Sequence, residues 1–193
     1  MKWEQMMIVT EILGSPRKGS NSAKLADAVV EALSGADKEI KRFSLGSLDF
    51  RGCKACFSCK NKAEACVIED DLTEVLSASL NSDVIVAATP VYIGEVTSQM
   101  KTFIDRTYSW LKPGFVGSDR QSRVPEGKTL VLIFTQGNPD RGAYSRIIDA
   151  YASYFGTHGF KIKTYLAEGL QDEDIALAKP HLLKEAAALA EGL

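Results

Sequence analysis

The stretch that decides the fold runs from Met6 to Ser22 and reads MMIVTEILGSPRKGSNS. Its first half is mostly apolar and predicts a β-strand, and the residues after Ser22 carry apolar side chains at helical spacing. The segment between them is therefore a loop that ends at a helix N-terminus, where backbone N–H groups and the helix dipole attract an anion. The alternative is a polar turn that only caps the helix. The candidate phosphate ligands are Ser15, Arg17, Ser20, Asn21 and Ser22.

Two common phosphate-binding loops do not match this stretch. The nucleotide P-loop requires a Lys and then a Ser or Thr directly after its second glycine. Gly14 and Gly19 have the glycine spacing, but Ser20 and Asn21 occupy the next two positions. The G-x-G-x-x-G fingerprint of dinucleotide-binding folds is also absent here. The loop therefore suits a single phosphate monoester held by hydroxyls, an amide and the backbone.

Length and charge exclude several classes of protein. The chain has 193 residues and a formal net charge of −2, which suits one domain and offers no basic field for nucleic acid. No apolar run is long enough to span a bilayer, and residues 1–5 have no signal-peptide pattern. We therefore expect residues 1–193 to form a single cytoplasmic domain with reduced cysteines, and neither nucleic acid nor a membrane as a partner.

Strand-like and helix-like segments alternate along the chain, which predicts a parallel sheet covered by helices on both faces. Five strands, four intervening helices and a closing helix fit a flavodoxin-like three-layer sandwich with the strand order 2-1-3-4-5. The predicted strands are Met6–Leu13, Glu39–Phe43, Val84–Ala88, Thr129–Phe134 and Phe160–Leu166. The predicted helices are Ser22–Ser34, one that begins at Asp71, Thr97–Tyr108, Ala143–His158 and Asp172–Glu191.

Local signals refine these boundaries. Asp71 and Glu74 have the spacing of a capping box, which predicts that Asp71 caps its helix. Pro180 is expected to kink or divide the last helix. Trp110–Gly127 contains prolines, glycines and charges, which predicts a loop that contacts another subunit or covers the ligand.

In sheets of this kind a ligand binds outside the carboxyl ends of the strands, where the strand order reverses. The loops expected there are Gly14–Ser22, Thr89–Glu95 and Thr135–Gly142. The second loop can present backbone groups and a Tyr ring to a flat heteroaromatic ligand, and the third would close the same pocket. An ordinary β–α turn is the alternative for each. The candidate residues in these two loops are Pro90, Val91, Tyr92, Ile93, Gly94, Gln136 and Gly137.

All four cysteines fall within one segment, at about residues 48–68, with the pattern C-x2-C-x2-C-x6-C. Iron–sulfur clusters take four Cys ligands, often in compact runs of this type. Zinc bound by four thiolates, redox-active thiols and buried structural cysteines are the alternatives. The candidate metal ligands are Cys53, Cys56, Cys59 and Cys66.

These motifs, taken in order, resemble those of NAD(P)H-dependent FMN reductase-like flavoproteins, and of the iron–sulfur flavoprotein branch in particular. The resemblance rests on Gly14-Ser15-Pro16-Arg17 with Ser20-Asn21, on Gly52-Cys53-x2-Cys56-x2-Cys59, on Cys66-Val67-Ile68-x-Asp70-Asp71, on Thr89-Pro90-Val91-Tyr92, and on Lys101-x3-Asp105-Arg106. It covers about residues 8–106 in motifs and the remainder in overall layout.

The resemblance implies non-covalent FMN, with its phosphate on the first loop and its isoalloxazine ring against Pro90–Gly94. It also implies a dimer or tetramer, a [4Fe-4S] cluster on the four cysteines, and a ferredoxin-type electron partner. The implied function is an oxidoreductase that transfers electrons between NAD(P)H or a reduced carrier and a quinone, a flavin or a redox protein. No side chain is expected to act as a catalytic acid or base.

Two other functions remain open at this point. A flavodoxin-like electron carrier would have the same cofactors but no substrate pocket of its own. A zinc-stabilised binding domain would use the cysteines without any redox role.

Overall fold

A computed structural model describes residues 6–33, 37–117, 121–171 and 173–193. Five parallel strands form its sheet: β1 (Met7–Leu13), β2 (Lys38–Ser44), β3 (Val84–Tyr92), β5 (Thr129–Thr135) and β6 (Lys161–Ala167). A two-residue strand, β4 (Glu95–Val96), pairs antiparallel with the end of β3. The sheet order is β2-β1-β3-β5-β6, so the five parallel strands lie in the predicted order. The flavodoxin-like fold is confirmed.

Helices cover both faces of the sheet, because its central strands are apolar on both sides. The helices are α1 (Asn21–Ala32), α2 (Ser58–Asn61), α3 (Leu72–Asn81), α4 (Ser98–Arg106), α5 (Ser145–Gly156), α6 (Ile175–Ala178) and α7 (Pro180–Ala187). Along β3, Val86 and Ala88 pack with the residues of α1, whereas Ile85 and Ala87 pack with those of α3 and α4. This alternation produces two separate hydrophobic cores, one on each side of the sheet. No helix in these described ranges is long and apolar enough to cross a membrane.

The end of β3 differs from the prediction. Thr89–Glu95 was expected to be a loop, but Thr89 and Pro90 continue the parallel pairing with β5. Val91 and Tyr92 then pair with β4, so that only Ile93 and Gly94 form the turn. The apolar side chains of this segment thus lie on a hairpin that projects past the carboxyl edge of the sheet.

The predicted helix boundaries are close except at the C-terminus and at Asp71. Pro180 divides the last helix as expected, because α6 ends at Ala178 and Pro180 begins α7. The expected capping box at Asp71 is wrong: the Asp71 side chain accepts the Asp49 N–H at 2.7 Å instead of capping α3. The neighbouring Asp70 accepts the Leu72 N–H at 3.1 Å. The helix ends predicted at Ser34 and Asp172 lie outside the described residues.

The segment after α4 begins inside the core and not in a loop. A 3₁₀ turn, Thr107–Trp110, continues α4, and Trp110 is fully buried. The chain returns through an antiparallel bridge between Leu111 and Ser122. The outer part of the predicted loop Trp110–Gly127 includes residues 118–120, which lie outside the described residues.

Candidate functional site

The three predicted ligand loops lie together at the carboxyl edge of the sheet. The Gly14 N–H donates to the Ala88 carbonyl at 2.8 Å, and the Thr97 hydroxyl donates to the Gly14 carbonyl at 2.7 Å. A Cβ atom on Gly14 would lie 2.9 Å from the Cβ of Met100, so only glycine fits at this approach. Pro90 is paired in register with Thr135, which places the second loop beside the third.

The first loop has the features of an anion site at the start of α1. Ser20 caps this helix, since its Oγ accepts the Ala23 N–H at 3.3 Å. Helix geometry leaves the N–H groups of Asn21 and Ser22 without an intrahelical acceptor, so a ligand or water must meet them. Ser15, Ser20 and Ser22 are buried, whereas Arg17 is exposed at the rim. The loop therefore carries hydroxyls, backbone N–H groups and two cations, Arg17 and Lys18.

The Asn21 side chain points away from this role. Its Nδ2 donates to the Glu173 carbonyl at 2.9 Å, and its Oδ1 accepts the Ile175 N–H at 3.3 Å. Asn21 thus joins the start of α1 to the start of α6. Among its polar groups, the backbone N–H is the one that faces an anion at the helix end.

The hairpin turn at Ile93–Gly94 is both strained and apolar. Both residues have positive φ values, +52° for Ile93 and +75° for Gly94. A positive φ is unusual for a β-branched residue and costs free energy. The Ile93 side chain is also fully exposed, and 41% of the Tyr92 side chain is exposed beside it. Strain of this kind persists at sites that contact a ligand or a partner.

The third loop contains a buried acceptor, the side-chain oxygen of Gln136. Gln136 Nε2 donates to the carbonyls of Asn138 and Asp140 at 2.9 and 2.8 Å, which shapes the loop. Gln136 Oε1 is buried and has no hydrogen-bond partner among the described residues. Such an atom costs free energy until a donor reaches it. This edge therefore offers an acceptor to a ligand that carries an N–H donor.

The four cysteines line a second cavity of about 670 Å³, between the cysteine segment and helices α4 and α5. All four are free thiols; Cys53 and Cys56 are exposed, and Cys59 and Cys66 are half-buried. Glu95 is part of the cavity lining, whereas no residue of the first loop is found there in the described part of the chain. The first loop and the cysteines therefore lie at separate places on the described part of the chain.

The backbone of the cysteine segment turns sharply between successive cysteines. Ala55 and Phe57 both have positive φ values, +49° and +56°, and Phe57 is the N-cap of the short helix α2. The backbone and side chain of Ser58 hydrogen-bond to the Cys56 sulfur and lower the pKa of its thiol. Within the described ranges, no three His, Cys, Asp or Glu side chains are arranged to hold a metal ion. In number and donor type the four thiols thus fit an iron–sulfur cluster, and they face one cavity. Their side chains do not adopt the arrangement of metal ligands in the described residues.

The pattern of the known NADPH-dependent FMN reductases matches residues 7–151, which include all of the first two loops, the cysteine segment and Gln136. The chain belongs to this family. Its membership supports FMN as the cofactor. The strand order and the position of the loops agree with that assignment.

Two relatives named iron–sulfur flavoprotein are among the most similar proteins. The one from Archaeoglobus fulgidus is 34% identical over 72% of this chain and 61% of its own length. The one from Methanosarcina thermophila is 36% identical over 52% of each protein. The chain thus spans about half to three fifths of the length of these relatives. Among solved structures, an NAD(P)H:quinone oxidoreductase from Methanothermobacter marburgensis superposes with a TM-score of 0.73 at 16% identity and covers 96% of each chain.

Sequence reasoning did not foresee which contacts hold the cysteine segment in place. Arg106 is buried and forms an ion pair of 2.8 Å with Asp70, and Arg123 donates to the Cys59 carbonyl at 3.2 Å. Lys60 donates to the carbonyls of Tyr108 and Leu111, and burial lowers its pKa. One signal was present: Arg106 lies three residues after Phe103, on the apolar face of α4, where a charge requires a partner.

Proposed function

We propose that this chain is an FMN-dependent oxidoreductase that transfers electrons between NAD(P)H or a reduced carrier and an acceptor such as a quinone, a flavin or a redox protein. The observation that supports it best is the carboxyl edge of the sheet. There the start of α1, the strained apolar hairpin and Gln136, whose Oε1 has no partner among the described residues, follow the neighbouring strands β1, β3 and β5. Phosphate, ring and polar ring edge of one FMN molecule correspond to these three features.

Bound FMN supplies the redox chemistry, and the protein binds and orients it. Ser15, Ser20 and Ser22 would donate hydroxyl or backbone hydrogen bonds to the phosphate, and Arg17 would balance its charge. Asn21 would contribute its backbone N–H. The ring would lie against Pro90, Val91, Tyr92, Ile93 and Gly94, with Gln136 and Gly137 at its polar edge.

Replacing the rim cation tests this arrangement without disturbing the core. Arg17→Ala is expected to weaken FMN binding about tenfold, because it removes one charge-assisted hydrogen bond. Lys161→Ala is the control, since this exposed lysine begins β6 at the opposite end of the sheet. Titration of the apo-proteins with FMN, followed by flavin fluorescence, measures both. Equal affinity in the wild type and Arg17→Ala would remove the first loop from the site.

We further propose that Cys53, Cys56, Cys59 and Cys66 hold a [4Fe-4S] cluster, which supplies one-electron chemistry when bound. Four thiols on one cavity wall, together with relatives that carry this name, support the proposal. Arg106, Arg123 and Lys60 surround the segment with positive charge, which suits the negative charge of four thiolates.

An absorption spectrum of protein purified without oxygen, with iron and sulfide assayed on the same sample, tests both cofactors. A flavin spectrum on a broad shoulder, with about four irons per chain, would support the two proposals together. Flavin without iron would retain only the FMN site. One zinc per chain without flavin would favour a zinc-stabilised binding domain.

Turnover distinguishes an enzyme from a carrier. An enzyme is expected to oxidise NADH or NADPH in the steady state and to reduce a quinone or free flavin. A pure electron carrier would show no turnover with small acceptors and yet be reduced rapidly by a ferredoxin-type protein. We expect a homo-oligomer in either case, which size-exclusion chromatography with light scattering measures.

A further inference from the structure

The two ends of the cysteine segment are joined to each other directly. Asp49 and Asp71 exchange two hydrogen bonds, from the Asp49 N–H to Asp71 Oδ2 at 2.7 Å and from the Asp71 N–H to the Asp49 carbonyl at 3.3 Å. The Arg51 N–H donates to Asp70 Oδ2 at 3.0 Å. Residues 52–67 therefore form a closed loop, here called the cysteine loop, which contains all four cysteines.

Arg106 sits at this junction and contacts both ends of the loop. Its Nη1 donates to the Arg51 carbonyl at 3.0 Å and to Asp70 Oδ2 at 2.8 Å. Its Nη2 donates to the Ile68 carbonyl at 2.9 Å. One planar guanidinium thus binds Arg51 before the loop, Ile68 after it and the carboxylate of Asp70. A lysine cannot reproduce this arrangement, because its charge is a single point.

The guanidinium is completely buried, with 0% of its side chain exposed, which is costly for a charge unless every contact is favourable. Burial on its own would lower the pKa of Arg106, but the Asp70 hydrogen bond and the adjacent Cys66 sulfur outweigh it and raise that pKa. The Nε atom has no hydrogen-bond partner among the described residues. The contacts that Nη1 and Nη2 make at the two ends of the loop therefore have to compensate for the burial of this charge.

The other two cations act at the middle of the loop. Lys60 belongs to the loop and reaches the carbonyls of Tyr108 and Leu111 at 2.5 and 2.6 Å. Arg123 binds the Cys59 carbonyl and the carbonyls of Ser109 and Leu111. These contacts hold the middle of the loop, whereas the Arg106 contacts lie where its two ends meet.

We propose that Arg106 is the positioning residue of the four-cysteine site. Its guanidinium holds the carbonyls of Arg51 and Ile68 together, so that the loop is closed before any metal binds and Cys53 and Cys66 line the same cavity. Closure in advance means that a cluster does not have to supply the ordering of the loop. This role rests on the cluster proposed above.

Arg106→Lys tests the proposal, because it keeps the positive charge and removes the two Nη groups that bind both ends of the loop. Asp70→Asn is the second variant, since it keeps the shape of the junction and removes only the charge that Arg106 pairs with. Arg146→Lys is the matched control, an exposed arginine on α5. Hydrogen exchange of residues 52–67, measured by mass spectrometry on reduced, FMN-saturated and metal-free protein, reports loop closure without any cluster.

Exchange across the loop is expected to be about tenfold faster in Arg106→Lys, intermediate in Asp70→Asn and unchanged in the control, with β5 equally protected in all four proteins. The second measurement is anaerobic reconstitution with ferrous iron and sulfide, followed by iron content and the cluster absorption. Arg106→Lys is expected to need about ten times more iron for half-loading. A purely structural role of Arg106 would instead lower the melting temperature and leave iron loading of the folded protein unchanged.

The outcomes separate the two proposals. A wild-type protein that loads iron, together with an Arg106→Lys protein that loads it equally well and exchanges equally slowly, would overturn the role of Arg106. A wild-type protein that binds no iron would overturn the cluster, and with it the link between Arg106 and a metal. In that case faster exchange in Arg106→Lys would still establish Arg106 as the residue that closes the loop.

Discussion

The carboxyl edge of the sheet, where we propose that FMN binds, is here called the flavin edge. It and the cysteine loop are held in place by different forces. The flavin edge consists of the ends of β1, β3 and β5, so the hydrophobic cores on both faces of the sheet fix its position. The cysteine loop contributes little to either core and is held by three cations that bind backbone carbonyls. The comparison shows that one molecule can position one site through its hydrophobic cores and another through cations that bind backbone carbonyls. The two sites should therefore respond differently to pH and to mutation.

The largest expected difference is in pH dependence. Glu11 on β1 is buried beside its register partner Arg42, with Asp27 and Glu31 of α1 facing it. Burial, partly offset by Arg42, raises the pKa of Glu11 to about 7. Because the folded-state pKa is raised, this contribution to stability is complete below about 4.5, the value in an unfolded chain, and is lost as the pH rises through 7.

Glu11→Gln should remove this loss, and the expected gain in the free energy of unfolding at pH 8.5 is about 3 kcal/mol. Arg42 retains Asp27 as a partner in the variant. Urea unfolding at pH 5 and pH 8.5 measures the gain, with Glu39→Gln on the exposed strand β2 as the control. An identical pH dependence in Glu11→Gln and the wild type would contradict the assignment.

The cysteine loop should show the opposite pH response. Burial works against ionisation of Asp70, but hydrogen bonds from Arg106 and Arg51 hold its pKa below the ordinary value. Its contribution is therefore present above the ordinary carboxylate range and is lost only in acid. Hydrogen exchange in the loop should stay constant from pH 5 to 8.5, after correction for the intrinsic rate.

A cation at the middle of the loop gives the next effect in size. Arg123→Ala removes hydrogen bonds to the carbonyls of Cys59, Ser109 and Leu111, which should cost about 1–3 kcal/mol of local stability. Limited proteolysis should cut the loop about tenfold faster while FMN affinity stays unchanged. Arg146→Ala is the control. A parallel loss of FMN affinity would mean that the two sites are not independent.

The smallest expected effect is at the hairpin turn. Ile93→Gly should stabilise the metal-free, flavin-free protein by about 1 kcal/mol, because glycine adopts a positive φ without strain. The same change should weaken FMN binding, since it removes an apolar side chain from the ring edge. Thermal melts and FMN titration of one preparation measure both. Gly94→Ala is the contrasting variant, which should destabilise the turn. An Ile93→Gly protein that is more stable and binds FMN equally well would remove Ile93 from the flavin contact.

The three loops at the carboxyl edge could be placed from the sequence because their signals are local. Apolar runs followed by Ser, Asn, Gly and Pro identify strand ends, and the rule for parallel sheets then brings the loops together. The turn at Ile93–Gly94 could not be foreseen, because an isoleucine with positive φ contradicts its own preference. Glu11 gave no indication of its partner either, since Arg42 reaches it only through the register of β1 and β2.

The structure of the cysteine loop could not be predicted, although its residues could be picked out. The contact between Asp70 and Arg106 spans 36 positions, and no local pattern specifies it. Asp71 was expected to cap α3 because the capping-box spacing is a local signal. In the folded chain the N–H of Asp49 competes for the same carboxylate, and this long-range bond prevails.

Because its ends are paired, the cysteine loop could be removed without disturbing the rest of the fold. Since Asp49 and Asp71 are already joined through hydrogen bonds, a short turn could replace residues 52–67 and leave β2 and α3 in position. Evolution or protein design could therefore delete or replace the loop while the remainder of the fold stays unchanged. Conversely, grafting the loop onto a plain flavodoxin would also require an arginine at the end of the corresponding helix, together with its aspartate.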